Sequence, residues 1–139
     1  IQDLDGAAVT LNHLIVSGTS DACLVSDSVN SPGQVQVRSS NLHACGESGS
    51  EYAENIALLT GMTYVDPLFK DPGNGDYTLS SASPLIDAGL SGEENCAAFS
   101  SEPAPNGCAA NLGAYGNTSQ AMTKAGAEHC PCPTDTGGG

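Results

Sequence analysis

Val65-Asp66-Pro67-Leu68-Phe69-Lys70-Asp71-Pro72-Gly73-Asn74-Gly75-Asp76-Tyr77-Thr78-Leu79-Ser80-Ser81-Ala82-Ser83-Pro84-Leu85-Ile86-Asp87-Ala88-Gly89 reads as short extended segments cut by hard turns. Asp66-Pro67 starts one turn. Asp71 to Asp76 forms a longer one, because Pro72 fixes φ while Gly73 and Gly75 admit positive φ. Tyr77-Thr78-Leu79 is a short strand that Ser83-Pro84 stops, and Leu85-Ile86 is the next apolar pair.

Working outward, Asn111-Leu112-Gly113-Ala114-Tyr115-Gly116-Asn117-Thr118 supplies a second half to this pattern. Together the two halves resemble the last coil of secreted bacterial right-handed parallel β-helix proteins of the pectate-lyase-like kind. Their chains close on D-P-x-F, G-D-Y-x-L and S-P-x-I-D-x-G, followed by G-A-Y-G. The resemblance implies an all-β chain that forms the C-terminal coils of such a solenoid, with further coils upstream in the parent protein. Related chains carry Asp before the G-A-Y-G string, where this one has Asn111, so a charge role there is not carried over.

An internal repeat points the same way. Val9 to Gly18 aligns with Val37 to Gly46 at an offset of 28, matching Val9 with Val37, Leu14 with Leu42, Val16 with Ala44 and Gly18 with Gly46. Period-2 alternation within each unit predicts strand, and recurrence at such a spacing predicts stacked coils. Val9, Leu11, Leu14 and Val16 are expected to point inward. Ser28 to Gly33 reads as a turn insertion, with Cys23-Leu24-Val25 and Gln34-Val35-Gln36 on the other sides of the coil. Residues 47–64 read as a loop with a turn of helix that Gly61 would end. Residues 90–110, rich in Pro and small side chains, read as a surface excursion with little core of its own. The expected organisation is coils and closing motif over 1–120, then a Cys-, Pro- and Gly-rich tail or linker over 121–139.

Composition agrees with many short strands. The 139 residues include 17 Gly and 8 Pro but no Trp and only 2 Phe, leaving few anchors for a broad globular core. The formal net charge is −13, from 16 acidic residues against 3 basic ones. Nucleic acid and anionic membrane surfaces are therefore poor partners, since both need clustered Lys and Arg. Polysaccharide or cell-surface components fit the resemblance, with calcium bridging any acidic polymer. Apolar runs such as Ile56-Ala57-Leu58-Leu59 fall far short of the roughly 20 residues of a membrane span. Ile1-Gln2-Asp3-Leu4-Asp5 has no basic segment and reads as part of a mature or internal piece rather than a signal peptide.

Candidate chemistry is sparse. Asp3-Leu4-Asp5-Gly6 can begin a calcium loop but lacks the later ligands, and Asp71 and Asp76 are weak calcium candidates in a turn. No other cofactor is implied. Gly46-Glu47-Ser48-Gly49 approaches a nucleophile elbow, but Ser50 stands where its last glycine belongs. Asp21, Asp27 and Glu47 are the carboxylates that could line an outer face in the manner of β-helix lyases and hydrolases. His13 and His43 occupy strand positions, and the Glu93-Glu94 pair reads as solvated. No catalytic residue is assigned.

The six cysteines allow 15 pairings and, with the resemblance, point to an oxidising compartment, secreted or at the cell surface. Cys96 and Cys108 bracket the Pro-rich excursion and are the expected disulfide. Cys23 and Cys45 lie about one coil apart and form a second candidate, although the offset of 28 places Cys45 over Ser17. Cys130 and Cys132 are too close for an easy mutual bond, and His129-Cys130-Pro131-Cys132 is an incomplete zinc pattern. The expected function is a structural or adhesive segment without catalysis. The alternatives are the C-terminal part of a polysaccharide lyase or glycoside hydrolase with catalytic coils upstream, or a calcium- or glycan-binding module.

Overall fold

The computed structural model describes residues 8–25, 35–46, 53–54, 56 and 58–132. It divides the chain into two compact units, Ile1–Pro67 and Leu68–Gly139. The boundary thus falls inside the Val65–Gly89 stretch and not at residue 120. Among the described residues the regular structure is mostly strand, with two short 3-10 helices, and none of the helices is long and apolar enough to cross a membrane.

The first unit holds strands β1 (Val9–Asn12), β2 (Ile15–Ser17), β3 (Leu24–Val25), β4 (Val35–Arg38), β5 (Asn41–His43), β6 (Ala53–Glu54) and β7 (Leu58–Thr60). All ladders among them are parallel: β1-β4-β7, β2-β5 and β3-β6. Parallel neighbours need a long crossover, and here the crossover consists of the strands of the other two ladders. The core is a column of Leu24, Val35, Val37 and Leu42, flanked by Val9, Leu11, Leu14, Val16, Ile56, Leu59 and Met62. Val37 and Leu42 are completely buried.

The register differs from the repeat alignment. Val9 lies beside Val35, Leu11 beside Val37 and Val16 beside Leu42, an offset of 26. Leu14 therefore does not stack on Leu42, and Ala44 is an exposed corner residue. A slip of two residues keeps every side chain on its own face, so the inward set survives the change. Corner geometry fixes the register. His13 (φ 60°), Ser39 (φ 45°) and Gly61 (φ 64°) are all left-handed, and each ends its strand at the same position of the β1-β4-β7 ladder. His13 N–H donates to the Ser39 carbonyl (3.2 Å) and Ser39 N–H to that of Thr60 (2.8 Å), tying each corner to the next layer.

Gly61 is thus the third corner of a ladder and not a helix end. The strands β6 and β7 replace the loop expected over 47–64. Beyond β2 and β5 the layers are unequal: the offset grows from 26 at Ser17 and His43 to 29 at Leu24 and Ala53, while Gly18 N–H bonds the His43 carbonyl (3.1 Å). Cys23 and Cys45 on this side form a disulfide with Cα atoms 5.5 Å apart. Gly46 lies against the Ser20 carbonyl, where a Cβ would fall 1.8 Å from the oxygen, and its N–H bonds the Asp21 carbonyl (3.0 Å).

The second unit opens with an antiparallel hairpin, β8 (Phe69–Asp71) and β9 (Asp76–Leu79). Its turn is the 3-10 helix Pro72–Asn74, closed by Gly75 at φ 80°. The rings of Phe69 and Tyr77 meet edge to face at 5.4 Å. Beyond the hairpin, the two halves of the closing motif pair with each other. Leu112 N–H donates to the Leu85 carbonyl (3.1 Å), Gly89 N–H to that of Ala110 (2.8 Å) and Ala110 N–H to that of Leu90 (2.9 Å). Leu85, Ile86, Phe99, Ala110 and Leu112 are buried beneath.

Two expectations change here. Residues 90–110 do carry a core: Phe99 is 1% exposed and packs with Cys96 and Ala110. Residues 121–132 are not a loose tail, since Ala121 is buried and Cys130 and Cys132 pack against the Phe99 cluster.

Candidate functional site

The cysteines define the most constrained region. Cys96 bonds Cys132 and Cys108 bonds Cys130, leaving no free thiol. The expected Cys96–Cys108 bond is therefore corrected. The reason is that 96–108 does not close on itself as a solvated loop. It forms one wall of a small core whose other wall is the segment around Cys130 and Cys132. A C-x-C pair that cannot bond internally presents its two sulfurs to two partners. The same bonding removes both cysteines from any zinc site. Three disulfides in a chain of this size fit an oxidising environment.

Asn106 reinforces this attachment. Its Oδ1 accepts the N–H groups of Cys108 (3.1 Å) and Cys130 (3.0 Å), and its Nδ2 donates to the Cys130 carbonyl (3.0 Å). A primary amide can do this because it presents donor and acceptor side by side, as a strand edge does. Gly107 N–H adds a bond to the Glu128 carbonyl (2.8 Å). Gly107 is left-handed (φ 62°), and the Asp87 carboxylate occupies the place of a side chain there, 2.0 Å from where a Cβ would sit.

Glu102 is the keystone of the closing loop. It is 7% exposed, and its Oε1 accepts the N–H groups of both Asn111 and Asn117 at 2.8 Å. Burial pushes its carboxyl above the ordinary range, the two N–H donors pull it back, and the nearby Asp87 pushes it up again. Asp87 is also raised by burial, with Lys124 opposing the shift. Asn111 links the two acids: its Oδ1 accepts Asp87 N–H (2.9 Å), and its Nδ2 donates to the Met122 carbonyl (2.8 Å). An Asp at this position has no hydrogen for Met122, which is a physical reason for the amide. Two shallow clefts adjoin these acids. One of about 250 Å³ is lined by Ser100, Glu102, Asn106 and His129, and one of about 380 Å³ by Asp87, Lys124 and Glu128.

The residues singled out from sequence lie elsewhere. Asp3, Asp5, Asp27, Glu47 and Ser48 fall outside the described residues. Asp71 Oδ2 accepts the Asn74 amide (2.8 Å), and Asp76 accepts both the hydroxyl and the N–H of Thr78, which hold its carboxyl below the usual range. Both acids serve their own turn. Among the described residues, no three His, Cys, Asp or Glu side chains gather as a metal-holding group. Asp21 acts through its backbone carbonyl, which accepts Thr19 Oγ1 and Gly46 N–H. Glu93 and Glu94 are exposed in the first turn of the second 3-10 helix, Glu93–Ala98. His43 Nδ1 lies 3.4 Å from Ser17 Oγ on an exposed face, and burial lowers the His13 pKa.

Sequence reasoning missed Glu102, Asn106 and Asn111 as organising residues. Both Glu102 and Asn106 lie in the stretch read as a surface excursion, and nothing local distinguishes a carboxylate that will be buried by a loop closing 9 to 15 residues later. Comparison with known protein families, curated proteins and solved structures finds no match to this chain.

Proposed function

We propose that the chain is a non-catalytic structural or adhesive segment of an extracellular, cell-surface bacterial protein. In this reading Ile1–Pro67 forms coils of a right-handed parallel β-helix and Leu68–Gly139 is the cystine-bonded unit that follows them. The observation that carries it is the parallel β1-β4-β7 ladder with His13, Ser39 and Gly61 as left-handed corners in matching positions. The use of the polar residues supports it further. Asn41 is fully buried and spends its amide mainly on backbone, donating to the Val65 carbonyl (2.9 Å) and accepting from Val65 N–H (3.0 Å), with the Thr63 hydroxyl as a further donor (2.8 Å). Glu102, Asn106 and Asn111 do the same in the second unit. Side chains committed to backbone in this way build a scaffold.

The ligand class that suits such a segment is polysaccharide or another cell-surface component, reached through calcium where the polymer is acidic, given the net charge of −13. The test is incubation of the oxidised chain with pectin, alginate and neutral polysaccharides, with and without calcium, following both retention on immobilised polymer and release of products. Retention without products is expected. Release of unsaturated or reducing-end products that is lost on changing Asp21, Asp27 or Glu47 would replace this reading with that of a lyase or hydrolase.

A further inference from the structure

The two disulfides of the second unit are nested: Cys108–Cys130, with a sequence separation of 22, lies inside Cys96–Cys132, with a separation of 36. Everything between Cys96 and Cys132 is therefore bypassed by one covalent bond, whose Cα atoms are 5.5 Å apart. The bypassed segment contains the buried Phe99 and Ala110, the acid Glu102 and the clamp Asn106. In the first unit Cys23–Cys45 bypasses β3, β4 and β5 in the same manner, including the completely buried Val37 and Leu42. Both bonds thus take a completely buried part of their unit out of the covalent path between the chain ends.

We propose that these bonds are mechanical shunts: tension along the chain passes from Cys132 directly to Cys96 and from Cys45 directly to Cys23, and the segments between, with Val37, Leu42, Phe99 and Ala110, carry no load. This rests on the structural or adhesive reading and says which property serves it. A hydrogen-bonded core in the line of force yields bond by bond, whereas a core behind a disulfide bears no tension until a covalent bond breaks. The inner Cys108–Cys130 bond is a second stop, reached only when the outer one is absent. Asn106 holds the Cys130 segment in place in either case.

Single-molecule force spectroscopy on the full chain, with a handle at each end, tests this. At about 3.6 Å per residue, the separations of 22 and 36 predict that the oxidised chain stops short of the chain reduced by a phosphine by about 200 Å of contour length. The double variant Cys96→Ser with Cys132→Ser should stop about 50 Å beyond the oxidised wild type, because the inner bond then takes the load. Equal lengths for oxidised and reduced wild type would overturn the proposal. So would a double variant that stops with the wild type or runs to the fully reduced length. Should that variant fail to fold, the comparison of oxidised with reduced wild type decides alone. Turnover of polysaccharide with an intact shunt would remove the functional reading and leave the mechanical one.

Discussion

Replacing Glu102 with Ala removes the acceptor that holds the Asn111 and Asn117 N–H groups. Asn111 is 2% exposed, so its donor is left buried and unpaired, at about 1–3 kcal/mol. Asn117 is exposed and water recovers most of its bond, leaving about 1 kcal/mol. The sum is about 2–4 kcal/mol, a large share of the roughly 5–15 kcal/mol that holds a domain together. Glu102→Gln is the informative partner, because its amide oxygen keeps both bonds while removing a buried charge beside Asp87. It should lie within about 1 kcal/mol of the wild type. Amide hydrogen exchange reads this site directly. In Glu102→Ala the Asn111 amide should exchange roughly 30- to 700-fold faster, and in Glu102→Gln close to the native rate. The carboxyl of Glu102 is raised in the folded chain, so the native state binds its proton more tightly than the unfolded one. The stability it contributes is fully present below the unfolded pKa and is lost as pH rises through the folded value. Glu102→Gln should remove that part of the pH dependence. An Asn111 amide indifferent to Glu102→Ala, or a Gln variant as damaged as the Ala variant, would refute the reasoning.

Three further outcomes follow from the same contacts. Leu42→Ala empties a completely buried position and should destabilise the first unit by about 2–5 kcal/mol in urea titration, whereas Leu58→Ala, at an exposed position, should stay within about 0.5 kcal/mol. His13 has its pKa lowered by burial, so its contribution is present above the unfolded value and lost as pH falls below it. The first unit should therefore weaken on mild acidification in a way that His13→Gln abolishes, as followed by circular dichroism. Asn111→Asp leaves the Met122 carbonyl without its donor and adds a charge near Glu102 and Asp87. It should lower the urea midpoint of the second unit by an amount equivalent to about 2–4 kcal/mol at pH 7 and by less at pH 4.

The inward-facing set of the first unit was legible because alternation has a period of 2 and survives even a misjudged register. The register itself was not, since the offset is 26 along β1–β4 and β2–β5 but 29 along β3–β6. A fixed offset cannot describe layers of unequal length. The third turn escaped notice because Leu58-Leu59-Thr60-Gly61 has too few residues for alternation to show, and a glycine after apolar residues also fits a helix end. In the second unit the closing pattern joined Val65–Gly89 to Asn111–Thr118, and Leu85 and Leu112 of these two halves are hydrogen-bonded to each other. The core of 90–110 was not legible, because Phe99 becomes buried only when Cys130 and Cys132 are brought over it. Proximity along the chain favoured Cys96–Cys108, and tertiary packing chose otherwise. Glu102 and Asn106 offered no pattern at all, since their partners are backbone groups that any residue supplies.

The central claim is the parallel stacking of the first unit at the observed register, and the most direct measurement is the set of inter-strand proton contacts in the nuclear Overhauser spectrum of the oxidised chain. The account predicts contacts joining Leu11 to Val37, Val16 to Leu42 and Val37 to Leu59, in the staggered pattern of parallel strands. Antiparallel contacts among these segments, or contacts joining Val9 to Val37 and Leu14 to Leu42 in their place, would contradict it.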